Sequence, residues 1–192
     1  MNLVLTTLAV FLLLLLGCRH QAVGPEPAMI VPRFGAVQIS ANPHNALSTL
    51  AEVHVEDAQS VALEYGADSL FQHSTPMVQV DGTSARLPVL GLEANTKYFM
   101  RARARSPAGH YNISTTQSFT TAPLPNDFTS FSVLTNKLPA NGLVMLSFIA
   151  SGASTRSYAQ VINNDGRIAW YREFFQPLVD FQKQPNGLTM SI

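Results

Sequence analysis

The sequence is short of charge, of cysteine and of any excess of one sign. Only 12% of its 192 residues are Asp, Glu, Lys or Arg, about half the share usual in a soluble domain. With 46% apolar residues beside them, the chain can bury a core and does not read as disordered. Twelve basic residues stand against twelve acidic ones, so no overall field draws in a polyanion, and nucleic acid is disfavoured as a partner. The single cysteine, Cys18, excludes a disulfide framework and any thiolate-based zinc site. Also missing are His-Glu-x-x-His, Gly-x-Ser-x-Gly and a phosphate-cradling glycine loop. The five histidines, His20, His44, His54, His73 and His110, all lie upstream of residue 128. His54 is expected on the solvent side of a strand and His110 in a turn. No catalytic, cofactor-binding or metal-binding residue is assigned, and no cofactor is implied.

No hydrophobic run reaches the roughly 20 residues that cross a bilayer comfortably. The longest, residues 3–16, is uncharged and interrupted only by Thr6 and Thr7, the dimensions of a signal-peptide core. It ends in Leu15-Leu16-Gly17-Cys18, which resembles the bacterial lipobox. That resemblance implies residues 1–17 as a lipoprotein signal peptide, cleavage before Cys18, and a diacylglycerol on its sulfur. Arg19 stands where an inner-membrane retention signal usually places Asp, which implies the outer membrane, on its periplasmic or cell-surface face. An uncleaved or ordinary secretory signal is the alternative. Residues 18–34 carry Pro25, Pro27 and Pro32 among small and polar residues, as in an extended tether.

From residue 35 the pattern becomes short period-two stretches divided by turn residues, which predicts an all-β sandwich or barrel. Ala51, Val53 and Val55 share one face, with Glu52 and His54 on the other. Val61, Leu63 and Tyr65 repeat the alternation before a turn at residues 66–68. Residues 77–80 and 85–90 flank Asp81-Gly82, which predicts a hairpin. Leu92-Glu93-Ala94-Asn95-Thr96-Lys97-Tyr98 opens a strand with Tyr98, Met100, Ala102 and Ala104 on one face, and residues 114–121 return as the last strand. Leu92, Thr96, Tyr98 and the exit Phe119-Thr120-Thr121 resemble the fibronectin type III family over residues 35–122. The resemblance implies a tyrosine corner, in which the Tyr98 ring packs inward while its hydroxyl bonds nearby backbone.

Arg101, Arg103 and Arg105 line the outer face of that strand. They are read as a solvated face that discourages edge pairing, in preference to a polyanion or lipid-headgroup contact. Asn112-Ile113-Ser114 is a formal glycosylation sequon, read as a surface loop.

A proline-rich break at residues 122–127 precedes a different composition. Residues 142–150 form an apolar strand, residues 158–163 and 167–173 a hairpin across Asn164-Asp165-Gly166, and residues 178–184 and 188–192 a pair around Pro185-Asn186-Gly187. Three or four strands in about 65 residues make approximately one propeller blade. The run from Gln160 through Asp165-Gly166 to Trp170-Tyr171, with Asp180-Phe181-Gln182 and Pro185-Asn186-Gly187, is similar to the opening blade of the bacterial arylsulfotransferases. That family joins a small sandwich to a six-bladed propeller and moves a sulfuryl group from an aryl sulfate to a phenol through a sulfohistidine.

The resemblance implies a first blade over residues 128–192, left incomplete, and a catalytic part absent from this chain. Its functional reading is a lipid-anchored extracytoplasmic fragment of such a transferase, inactive alone, with the membrane as one partner and a separately encoded propeller remainder as another. The alternative is a surface-anchored binding or adhesion module without enzymatic activity. Leu143, Val144, Met145, Leu146, Phe148, Ile149, Trp170, Phe174 and Phe175 crowd the expected blade, so an isolated sheet is expected to leave an apolar face open.

Overall fold

The computed structural model describes residues 29–128, 132–135, 137, 141–149, 156–178, 181–185 and 190–191. Cys18, the hydrophobic run and most of the tether lie outside the described residues. Among those described, the chain is all-β and antiparallel. Nine strands make the first unit: β1 (Arg33–Ala41), β2 (Thr49–Glu56), β3 (Ser60–Gly66), β4 (His73–Ser74), β5 (Val78–Gln79), β6 (Ser84–Val89), β7 (Lys97–Arg105), β8 (Tyr111–Ile113) and β9 (Gln117–Thr120).

One sheet runs β1-β2-β6. The other centres on the β3–β7 pair, with β4 and β5 on the far side of β3 and β8 and β9 on the far side of β7. Alternation places Ala51, Val53 and Val55 of β2 and Leu87 and Val89 of β6 in one buried cluster with Val61 and Leu63 of β3 and Met100, Ala102 and Ala104 of β7. Residues from both sheets share that core, so the unit is a two-sheet sandwich. Glu52 and His54 point away from it.

Two local expectations are corrected. Asp81-Gly82 does form a tight turn, with Gly82 at φ 60° and mutual backbone bonds between Asp81 and Ser84. The flanking strands do not pair with each other, however: β5 joins β3 and β6 joins β2. The turn carries the chain from one sheet to the other. The return after β7 also starts earlier and breaks, because Ser114 exchanges bonds with Ala102 through its backbone amide and its hydroxyl. The sequon therefore sits on edge strand β8, not in a loop. The Asn112 amide donates to the Pro32 carbonyl at 2.8 Å, fastening the start of the described chain to that edge.

The second unit holds β10 (Val144–Ile149), β11 (Ser157–Ile162), β12 (Ile168–Phe174), β13 (Gln182–Lys183) and β14 (Met190–Ser191). β10-β11-β12 is a three-stranded sheet, and β13 and β14 pair separately. The hairpin between β11 and β12 has positive φ at Gly166 but not at Asp165. Asn163 closes it, its side-chain oxygen accepting the amides of Asp165 and Arg167. The geometry is a turn followed by one left-handed glycine, with a register shift at Val161/Ile162, in place of a two-residue mirror-image turn.

Candidate functional site

The segment leading into β7 is pinned by backbone groups. Leu92 is buried, and Asn95 adopts φ 51°, a conformation Asn tolerates better than most residues. The Tyr98 ring lies in the sandwich core while its hydroxyl accepts the Glu93 amide at 2.9 Å. Thr96 donates its hydroxyl to the Ala94 carbonyl, and its amide donates to the hydroxyl of buried Thr121, which in turn donates to the Glu93 carbonyl at 2.6 Å. Leu92, Thr96 and Tyr98 thus frame one end of the sandwich.

At that end the second sheet docks. Asn45, in the β1–β2 turn, is buried and donates its side-chain amide to the Tyr171 carbonyl at 2.9 Å, while its side-chain oxygen accepts the Leu47 amide at 2.8 Å. The Ala46 amide donates to the Tyr171 hydroxyl at 2.8 Å. Leu47, Tyr158 and Tyr171 form one buried cluster flanked by Ala94, Leu124, Phe128 and Ile168. Phe128 stands 4.9 Å from the Tyr158 ring and 5.0 Å from the Tyr171 ring, both inclined, the edge-on arrangements aromatic quadrupoles favour. An Arg167–Glu93 ion pair at 2.7 Å rims the junction.

Burial pushes the Tyr171 hydroxyl pKa up. Tyr158 is raised further, to about 12, first by burial and then by the bond it donates to Asp127 at 2.8 Å. Near the middle of the sheet, Gln160 is fully buried opposite Leu146 and Tyr171, and neither amide atom has a partner among the described residues. That is a costly placement.

The other face of the sheet is also partly covered. Leu178 and Phe181 bury themselves against Ala159, and Trp170 stacks on Phe181 at 5.9 Å. The apolar face expected to stay open is therefore covered in its middle. Exposure persists at the margins: Leu143 is 60% exposed and Phe175 76%. Side chains of Phe148 and Ile149 lie outside the described ones.

On the outer face of the sandwich, the Arg101 Nε and Nη2 both donate to Glu64 Oε2 at 2.8 Å, and Arg103 reaches Glu64 Oε1 at 3.4 Å. Arg101 lies over Phe71 and Arg103 over Tyr111, at 4.0 and 4.6 Å from the ring centres. Two of the three arginines read as solvated are thus partly ordered by a carboxylate and by rings. The described histidines occupy separate places: His44 in the β1–β2 turn, His54 on β2, His73 on β4 and His110 in the β7–β8 turn. Among the described residues no group of three or more His, Cys, Asp or Glu is placed to hold a metal.

Periodicity marks most of the sandwich core, but it does not mark Asn45, Ala46, Phe128, Tyr158 and Tyr171 as a docking set; of these, Tyr171 enters the sequence reading only as part of the blade-like run. Of that set only Phe128 lies just beyond the proline-rich break; Tyr158 and Tyr171 stand on β11 and β12, far along the chain from Asn45. No family model matches the chain, and no curated protein sequence matches it. Among solved structures, the chain is similar to the solution structure of the sixth fibronectin type III domain from human fibronectin type III domain containing protein 3. The identity is 20% and the TM-score 0.33, over 50% of this chain and 91% of that domain.

Proposed function

We propose that the chain is an exported, lipid-anchored scaffold that performs no chemistry alone: the sandwich holds the second sheet in place for assembly with further β structure of the arylsulfotransferase type. The carrying observation is the junction, where Tyr158 and Tyr171 are only 3% and 5% exposed against the sandwich turn, while Leu143 and Val144 at the β10 margin remain exposed. β10 is an edge of its sheet among the described residues, and an apolar margin on a sheet edge is a template for a further strand. The resemblance of residues 160–187 to an opening blade supplies the class of assembly. A sulfohistidine needs an oriented partner and cationic groups converging on it. The histidines sit on the sandwich or upstream of it, so sulfuryl transfer would fall to residues beyond these.

The second reading, a self-contained surface-anchored binding module, is favoured by the cover that Leu178 and Phe181 give the outer face of the sheet. Two assays test the first reading. Release of nitrophenol from nitrophenyl sulfate is expected to stay at background with the chain alone; turnover abolished by replacing one of its histidines refutes the scaffold. Palmitate labelling in a bacterial host is expected to disappear in Cys18→Ser, and its persistence removes the lipid anchor.

A further inference from the structure

The chain as a whole is neutral, yet its charges are not evenly spread. Strand alternation sends Lys97, Phe99, Arg101, Arg103 and Arg105 of β7 to the outer face of the sandwich. Pairing puts Ser60, Ala62 and Glu64 of β3 beside the three arginines on that face, so one carboxylate opposes four cations on these strands. The surplus of three positive charges is balanced by acids elsewhere on a neutral chain.

The cations are interleaved with rings. Lys97 lies over Phe99 at 5.2 Å, and the Arg101–Phe71 and Arg103–Tyr111 stacks continue the row. Beside them on β8, Tyr111 and Ile113 are exposed and stand directly across from Arg105 and Arg103. Cationic heads stacked against half-exposed aromatic and aliphatic side chains match the boundary between headgroups and acyl chains.

We propose that this face lies on an anionic bilayer surface, its cations among lipid phosphates and Tyr111 and Ile113 at the acyl boundary. The approach of the chain favours this occupant. The Asn112–Pro32 bond brings the incoming segment to the β8 edge of this same sheet, with Met29 and Ile30 exposed just before it. Pro32 stands fourteen positions after Cys18, a reach of at most about 50 Å even if fully extended. An anchor at Cys18 therefore keeps the β8 edge within that distance of the membrane. This step rests on the lipid-anchor reading; the charge and chemistry of the face do not.

The test uses the full chain carrying Cys18→Ser, so that acylation cannot contribute, and measures co-sedimentation with vesicles of phosphatidylcholine alone or with about a third of the lipid replaced by phosphatidylglycerol. Three surplus charges predict roughly a hundredfold preference for the anionic vesicles at low salt, fading as salt is raised. Lys97→Gln with Arg105→Gln leaves the Glu64 pairs intact and is expected to lower anionic-vesicle partition roughly thirtyfold, with the urea unfolding curve unchanged. Equal partition onto both vesicles, or no loss in the double variant, overturns the proposal. So does a charge-dependent affinity for soluble dextran sulfate without vesicle binding, which assigns the face to a free polyanion. If palmitate labelling of the unsubstituted chain fails while anionic vesicles still bind, the anchor is lost and the face stands.

Discussion

Replacing Asn45 by alanine removes one buried polar link between the two units. The side chain supplies two bonds, to the Tyr171 carbonyl at 2.9 Å and from the Leu47 amide at 2.8 Å, in a buried setting. Each is worth about 1 kcal/mol net, and each leaves behind a backbone group whose stranding costs about 1–3 kcal/mol if water does not reach it. Allowing for partial hydration at the rim, the expected loss is about 2–4 kcal/mol. At a urea slope of about 2 kcal/mol/M, this lowers the midpoint by about 1–2 M. Trp170 is the only tryptophan in the chain and lies in the second sheet against Phe181, so its fluorescence reads that unit selectively. Asn42→Ala is the control, because Asn42 bonds Ser48 and the His44 amide within the same turn without touching the sheet. If Asn45→Ala shifts the Trp170 transition no further than Asn42→Ala, the sheet is not held by the sandwich and the reasoning is wrong.

Three further outcomes follow from the same geometry. Because Tyr158 is raised in the folded chain from 10.0 to about 12, its stabilising share is complete below pH 10 and is lost as pH rises from about 10 through about 12. Urea midpoints read by Trp170 should fall across that window, and fall less in Tyr158→Phe; equal slopes in both proteins would contradict the assignment. Tyr98→Phe strands the Glu93 amide and should cost the chain about 1–2 kcal/mol by calorimetry or urea titration, whereas an unchanged stability would mean that this amide finds water freely. Gln160→Leu removes a buried amide that has no partner among the described residues and should stabilise the chain by about 1–3 kcal/mol; a loss of stability would show that Gln160 is bonded in solution.

The core of the sandwich was legible because a half-buried strand writes its burial directly into alternate residues. Ala51, Val53 and Val55, or Met100, Ala102 and Ala104, need no knowledge of their partners to be placed inward. Turn chemistry was equally local, and Asp81-Gly82 and Gly166 do turn the chain. Which strands a turn connects is a different matter. Asp-Gly sets backbone angles over two residues, and nothing in that dipeptide distinguishes a hairpin from a passage between sheets, so β5 and β6 read as a hairpin though they lie in different sheets.

The junction was hidden for a related reason. Asn45 and Tyr171 are 126 positions apart, and a period-two pattern says that Tyr158 or Tyr171 is turned from solvent without saying what covers it. The same blindness produced the expectation of an open blade face: the cover is supplied by the β1–β2 turn on one side and by Leu178 and Phe181 on the other. The arginine row was seen, but its ordering by Glu64 and by Phe71 and Tyr111 depends on cross-strand register and on a loop.

Docking of the second sheet on the sandwich is tested most directly by proton–proton Overhauser contacts in the full chain, between the Leu47 methyl groups and the rings of Tyr158 and Tyr171. The packing of that cluster predicts strong cross-peaks that weaken in Asn45→Ala. Their absence from the unsubstituted protein, with both units folded, would contradict it.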